Sequence, residues 1–514
     1  MTPGNPKAAV GFRGLSSAEA GMRHLPPAAP AIAAPFAPQL GHPPPARAFR
    51  IPGRSRTLAR RSGTACWGMA SPDRSPTSQK ISWPAAAALV AGNMIGTGVF
   101  TSLGFQVVDF PGGFSIGALW ALGGIIALCG AVSYAELGAM FPRSGGEYHL
   151  LQRTWHPLAG FLAGWLSITV GFAAPVALAC SAFGTYLAGA AGFSATTATT
   201  ASLALLAATT AVHLASIHVS ARFQVAATGL KVAVLAGLAA AGWFAPPTAG
   251  FSLLPQTGET AALTSPAFAV ALFFVAYSYS GWNAAVYIAG ELKDPPRDLP
   301  KALIAGTGVV TALYIAFNLA LLRSTPASSL RGQLDVGQAA ARHLFGEEGG
   351  RIMGALIAVG IVSAVSAMMW AGPRVAATMG RDWRQLAPLA RTSTTGVPWV
   401  ATLCQAALAA GFILLGGFKD VLTYTEFTLS LSTFLTVAGV FWLRWKRPDL
   451  PRPFRCWGFP FTPVLFLLAT GYALVRFATS PDQAAKSWIG FATVAAGALL
   501  YRFANPTETT NERP

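Results

Sequence analysis

Residues 82–103 read SWPAAAALVAGNMIGTGVFTSL, an apolar run long enough to cross a bilayer that carries Gly96-Thr97-Gly98 partway along it. A second run, TSPAFAVALFFVAYSYSGWNAAVYIAG at 264–290, is interrupted in the same way by Ser280-Gly281. A continuous helix satisfies its own backbone N–H and C=O groups. In hydrocarbon each unsatisfied group costs on the order of several kcal/mol, so unwound backbone persists only where it lines a cavity or is covered by protein. The two interruptions are therefore candidate ligand sites, and their pairing points to a transporter. Close helix packing through small residues is the competing explanation for glycines in such runs.

Composition sets the class. Hydrophobic residues make up 53% of the chain and charged residues 11%, with a mean hydropathy of +0.49, too apolar for a soluble protein of 514 residues. The five cysteines, Cys66, Cys129, Cys180, Cys404 and Cys456, are scattered without a C-x-x-C spacing or a His-rich partner segment, so no disulfide framework and no metal site is expected. No G-x-x-x-x-G-K-[ST] phosphate loop occurs, so ATP drive would need a partner. Nor can a nucleophile–base pairing or an intramembrane His/Asp/Glu cluster be read from the spans. The expectation is a non-enzyme without cofactor and without a nucleic-acid partner.

Residues 1–80 differ in composition from the remainder of the chain. They are rich in Ala, Pro and Arg, with eleven Lys/Arg against Glu19 and Asp73, and contribute +9 of the formal net charge of +17. This segment is expected to be a disordered extension, a targeting peptide, or the product of a mis-assigned start with Met69 as the true one. From residue 81 to 505 the apolar blocks recur at spanning length, and residues 506–514 form a short tail.

Twelve spans are expected, near 82–103, 115–140, 157–189, 198–217, 223–245, 264–290, 301–322, 350–373, 397–416, 421–443, 457–478 and 486–503. Fifteen Lys/Arg fall in connections after even-numbered spans and seven after odd-numbered ones, which places both chain ends in the cytoplasm. The interruptions fall in the first and sixth spans. An offset of five reverses the direction of crossing, as expected of a five-plus-five inverted repeat with two helices appended. The expected fold class is thus an all-α integral membrane protein with discontinuous helices 1 and 6.

Gly92-Asn93-Met94-Ile95-Gly96-Thr97-Gly98-Val99-Phe100 and Tyr279-Ser280-Gly281-Trp282-Asn283, followed by Gly290-Glu291-Leu292-Lys293-Asp294-Pro295 and Leu299-Pro300, resemble amino acid permeases of the amino acid-polyamine-organocation (APC) superfamily, whose fold is LeuT-type. Further similarity lies in Tyr134-Ala135-Glu136-Leu137 with Phe141-Pro142-Arg143-Ser144-Gly145-Gly146, in Gly372-Pro373-Arg374 through Met379-Gly380-Arg381-Asp382, and in Val437-Ala438-Gly439-Val440-Phe441-Trp442-Leu443-Arg444. The resemblance covers roughly residues 81–480.

It implies that the unwound part of helix 1, Ile95, Gly96, Thr97 and Gly98, receives the carboxylate and amino group common to all amino acids. Tyr279, Ser280, Gly281 and Trp282 of helix 6 complete the substrate site, with carbonyls around Tyr279 and Ser280 accepting from the ammonium; the rings of Tyr279 and Trp282 close the cavity, shape its side-chain pocket, or serve structural packing. Glycines free the backbone to turn inward, and the half-helix beyond the break presents roughly half a positive charge to a carboxylate. By the same resemblance Ser167, Phe172, Thr428 and Ser432 reach the cavity.

Lys231 is the one Lys or Arg embedded well inside an expected span. An ammonium there is expensive, and burial disfavours its charged form, which suits proton exchange. Snorkelling to the headgroups is the alternative. Proton-coupled members of the family carry a lysine at the matching place, beside helix 1 carbonyls and near Ser363 or Ser366. Glu136 and Glu291 are read as structural partners of Arg143 or Lys293, and Glu426 as a residue near the outer end of helix 10 that either faces the entry path or is solvated at the interface. His213 and His218 are read as packing residues.

The resulting expectation is a secondary active transporter of the plasma membrane. It would move amino acids, neutral ones preferred, by alternating access with a proton as coupling ion and without sodium. An obligate exchanger or a non-transporting sensor are the alternatives, and any accessory subunit is left open.

Overall fold

A computed structural model describes residues 80–192, 194–215, 220–479, 484–504 and 506. The expectations for residues 1–79, for the tail at 507–514 and for His218 lie outside these residues. All described residues belong to the unit Arg74–Pro514. Helices dominate: α1 Trp83–Met94, α2 Gly98–Gln106, α3 Gly113–Met140 and α4 Gly146–Thr154. Next come α5 Pro157–Ala191, α6 Ala195–Ala215, α7 Ser220–Phe244, α8 Pro266–Tyr279 and α9 Pro295–Ser324. The chain continues with α10 Val336–Asp382, α11 Trp399–Leu415, α12 Phe418–Lys446, α13 Phe461–Thr479 and α14 Ala484–Phe503. Among the described residues no strand forms.

Eight of the helices are long and apolar enough to cross a membrane, nine if the bent pair α1 and α2 is one span. Three shorter apolar helices cover Thr228–Phe244, Trp399–Leu415 and Trp488–Phe503. The sequence placed one span at 350–373, but α10 extends this region to 47 residues and turns at Gly346, where φ is +78°. Its polar first turns escape a hydropathy reading because they carry Arg342, Glu347, Glu348 and Arg351 ahead of the apolar part. Within α5, residues Ser167–Gly171 form a π-turn in which Phe172 N–H donates to Ser167 O at 3.2 Å.

Small residues decide which helices meet. α3 packs along α9, α5 along α10, and α1 between α9 and α7. A Cβ on Gly124 of α3 would stand 2.2 Å from Thr311 Cγ2 of α9, and one on Gly306 of α9 would stand 2.9 Å from the Ala87 carbonyl of α1. Larger residues would part these backbones and lose the dispersion contacts that hold helices together where lipid is as apolar as the helix face.

One polar cluster fastens α3 to α12 and the loop after it. Glu136, 1% exposed, accepts from Arg444 Nε at 3.0 Å and Nη2 at 2.6 Å and from the Cys456 N–H at 2.7 Å, with Arg452 Nε at 3.6 Å. This corrects the expected pairing with Arg143 or Lys293. Arg143 instead faces Asp382 at 3.8 Å, and the long-range partners of Glu136 are 308 and 320 residues away in sequence. Removing one member of a buried ion pair leaves the other uncompensated, so Glu136→Ala is expected to destabilise the fold by about 3–5 kcal/mol. A thermal-unfolding midpoint equal to that of the parent protein would contradict this.

Candidate functional site

α1 ends at Met94, and its final carbonyls find partners one by one. Ala91 O accepts from Ile95 N–H at 2.9 Å, and Met94 O accepts from Gly96 N–H at 2.7 Å and from the Tyr314 hydroxyl at 2.5 Å. Gly92 O accepts from Lys231 Nζ at 3.2 Å. The Lys231 ammonium, 2% exposed, thus sits against the negative end of the first half-helix. Gly92 lets α7 come close at this point: a Cβ there would stand 2.6 Å from Thr228 Oγ1 of α7. Of the two serines expected near this lysine, Ser363 donates to Gly360 O at 2.8 Å and Ser366 pairs with His213 Nε2 at 3.0 Å. Gly360 is the residue of α10 that abuts the lysine stem.

The chain bends by 40° between α1 and α2. The N–H groups of Thr97, Gly98 and Val99 open α2 and have no acceptor from their own helix, as at any helix start. Gly98 is required by packing rather than by its torsion. A Cβ would fall 2.6 Å from Ser278 Cα, so α2 and α8 touch backbone to backbone here. The contact is tied by Ser102 Oγ to Ser278 Oγ at 2.8 Å and by Thr97 Oγ1 to Tyr277 Oη at 3.2 Å. At Gly96 a Cβ would meet nothing nearer than 3.8 Å.

α8 stops at Tyr279. Gly281 then takes φ +97°, a left-handed conformation that glycine adopts without strain, and lies against Asn93 of α1. A short 3-10 stretch, Ala284–Glu291, follows. Its end is strapped to the start of α1, with Ile81 N–H donating to Glu291 O at 2.8 Å and Lys293 N–H to Ile81 O at 3.0 Å. The two interruptions therefore adjoin in space although 180 or more residues separate Thr97 from Tyr277 and the chain beyond.

A cavity lies between them. Of the sequence-derived residues, Gly96, Thr97, Gly98, Ser280, Gly281 and Trp282 line it, with Ser167 and Phe172 from the π-turn of α5. Ile95 and Tyr279 do not. Ile95 is buried in the apolar core, and the Tyr279 ring packs against Trp120 and Tyr314 while its hydroxyl donates to Trp120 O at 3.0 Å. From α12 it is Leu429 and Thr433, not Thr428 and Ser432, that reach the cavity. Those two lie on other faces of the helix, Thr428 donating back to Tyr424 O at 2.7 Å.

Glu147 was not anticipated. It stands on α4, between spans, 3% exposed and on the cavity wall. It accepts from the Tyr134 hydroxyl at 2.7 Å, from Asn283 Nδ2 at 2.9 Å and from the Ser432 hydroxyl. Burial holds its carboxyl above the usual carboxylate range, and the three donors pull it part of the way back. Its charged neighbours in sequence made it look like an ordinary loop residue. Only the fold shows that it ties α3, α4, α12 and the segment after the second break. Glu426, expected at an outer helix end, is 6% exposed and takes a hydrogen bond from Ser430 Oγ at 3.3 Å. Among the described residues no group of three or more His, Cys, Asp or Glu could hold a metal ion.

The sequence model of the amino acid permease family matches residues 81–501, nearly all of the helical region just described. The chain belongs to the amino acid permease family. This permease is 27% identical over 395 residues to b(0,+)-type amino acid transporter 1 of Mus musculus, covering 75% of this chain and 80% of that one. It is 26% identical over 399 residues to the serine/threonine exchanger SteT of Bacillus subtilis, covering 76% and 89%. Identity to Asc-type amino acid transporter 1 of Mus musculus is 27% over 414 residues, covering 78% and 77%. The family is one of transporters, and this permease is an integral multi-pass membrane protein whose general task is amino acid transport.

Proposed function

We propose that this permease is a secondary carrier that moves neutral amino acids by alternating access, coupled to protons and independent of sodium. The observation that carries the reading is the cavity at which the two broken segments meet. The N-terminal end of α2 offers N–H groups and a partial positive charge to a carboxylate, and the carbonyls where α8 stops offer acceptors to an ammonium. The backbone alone can then grip the part shared by every amino acid, leaving Trp282, Phe172 and Leu429 to meet the side chain.

Twelve spanning segments in a five-plus-five inverted repeat accord with the packing. The second and seventh segments (α3, α9) run against each other, as do the third and eighth (α5, α10) and the fourth and ninth (α6, α11), and the first and sixth meet at their breaks. Segments beside a two-fold axis touch their own counterparts in this way. Both chain ends are assigned to the cytoplasm of a plasma membrane from the Lys/Arg asymmetry.

Coupling is assigned to Lys231. Its ammonium holds Gly92 O at the end of α1, and loss of its proton would remove the cation from the negative end of that half-helix. Proton exchange at Nζ thereby acts one turn from the break. Obligate exchange is the second reading, favoured by the similarity to a protein named as a serine/threonine exchanger.

Purified protein in liposomes, given a panel of radiolabelled amino acids, separates these readings. Proton-coupled carriage predicts saturable uptake of neutral amino acids into empty vesicles, increased several-fold by an inward proton gradient and unchanged by sodium. Uptake only into vesicles preloaded with amino acid favours exchange. Binding without flux in either case would contradict carriage.

A further inference from the structure

A second cavity adjoins the first and shares Tyr287, Ile288, Trp370 and Ala371 as a common wall. Its outer lip carries exposed Arg381, Thr392 and Gly396, so it is a vestibule between the surface and the central site. Besides Arg381 at the exposed lip, two opposite charges line it: Glu291 at the end of the 3-10 stretch and Arg374 on α10. Each is near enough to feel the other's charge, yet no ion pair within 4.0 Å joins them.

Arg374 is held in place rather than left to swing. Its guanidinium lies 3.8 Å from the centre of the Trp370 ring, and Nη1 donates to Trp370 O at 2.7 Å. Further donors of the guanidinium fork remain for a planar acceptor such as a carboxylate. The Glu291 side chain takes part in no hydrogen bond among the described residues, only its backbone carbonyl being engaged by Ile81. Trp370 itself carries an indole N–H that is sealed from solvent and donates to no acceptor. Opposite charges held apart in one half-enclosed space present complementary poles to a ligand that carries both signs.

We propose that this vestibule is a second, transient amino acid site, in which Arg374 takes the carboxylate and Glu291 the ammonium before the molecule passes between Tyr287 and Trp370 to the breaks. A zwitterion matches both poles at once, whereas an anion or a cation meets one attraction and one repulsion. The vestibule therefore selects for the charge pattern of a free α-amino acid, and the central cavity for its side chain. This inference rests on the carrier reading.

The test is sided transport by the full-length protein in liposomes of determined orientation, with radiolabelled serine, alanine and leucine as probes. For Glu291→Gln and Arg374→Gln, KM measured from the vestibule side is expected to rise about 5- to 20-fold, the loss of one charged contact each. KM from the opposite side and equilibrium binding in detergent stay near the parent values. An amino acid amide, which lacks the carboxylate and is a cation, competes from the vestibule side less well after Glu291→Gln and no less well after Arg374→Gln, which removes its repulsive neighbour. Arg374→Lys, which keeps the charge but loses the flat stacking, is expected to recover part of the loss.

Parent-like kinetics from both sides in folded Glu291→Gln and Arg374→Gln would overturn the vestibular site while leaving the carrier reading intact. Equal loss from both sides would overturn it too, by marking the two residues as structural. Absence of any saturable flux in the parent protein would overturn the carrier reading and the vestibular site together.

Discussion

Gly98→Ala is expected to weaken amino acid binding by about 10- to 100-fold, the equivalent of about 1–3 kcal/mol of overpacking. The added methyl would lie 2.6 Å from Ser278 Cα and 2.8 Å from Ser278 Oγ. Backbone cannot yield as a side-chain tip can, so α2 must withdraw from α8. That withdrawal strains the Ser102–Ser278 and Thr97–Tyr277 hydrogen bonds and shifts the N–H groups that open α2. Gly96→Ala is the internal control for backbone packing. Its methyl would have no atom nearer than 3.8 Å, and it sits on the cavity wall, so its effect falls on ligand fit alone. Equilibrium binding of a radiolabelled neutral amino acid to folded protein measures both. Parent-like affinity in Gly98→Ala would show that the apposition of α2 and α8 is not needed for the site.

Lys231→Met is expected to abolish accumulation of substrate against a gradient and to flatten the dependence of uptake on pH. The substitution keeps an unbranched side chain of comparable reach but removes the ammonium, leaving the Gly92 carbonyl without its donor. The lost charge-assisted hydrogen bond is worth about 1.5–3 kcal/mol, or roughly 10- to 100-fold in the equilibrium it biases. Uptake into liposomes with and without an imposed proton gradient checks this, with thermal unfolding as a control for fold. A variant that still concentrates substrate with the parent's pH dependence would remove Lys231 from the coupling mechanism. Retained binding with lost accumulation would separate coupling from recognition.

Much of the architecture is legible in the chain because hydropathy and length act locally. Each apolar stretch expected to span holds helix among the described residues, and the chain departs from helix at Ile95–Thr97 and Ser280–Asn283, close to the expected interruptions, with Gly98 already the first residue of α2. The role of Gly98 was not legible in kind. A glycine in a sequence cannot say whether it serves torsion or contact, and here it serves contact with Ser278, while Gly281 serves torsion. Tyr279 shows a related limit, since a residue beside a break is placed by which way its side chain leaves the backbone, and it leaves toward Trp120. Lys231 was legible because an isolated cation in an apolar stretch demands a partner. Its partner, a carbonyl 139 residues earlier, is not readable from the residues around the lysine; the family resemblance places it beside helix 1 carbonyls, and Gly92 O is one of them. Glu147 and the Glu136 cluster were hidden for the same reason: each is assembled from segments that only tertiary packing brings together, and a carboxylate with arginines nearby in sequence looks solvated.

The most direct test of the central claim is a density map of the full chain in lipid nanodiscs, saturated with the amino acid that the transport panel selects. The account predicts an amino acid in the cavity between the breaks, its carboxylate within hydrogen-bonding distance of the N–H groups of Thr97, Gly98 or Val99 and its ammonium facing the carbonyls where α8 ends. An amino acid bound elsewhere, with the segments 82–103 and 264–290 each running as one unbroken helix, would contradict it.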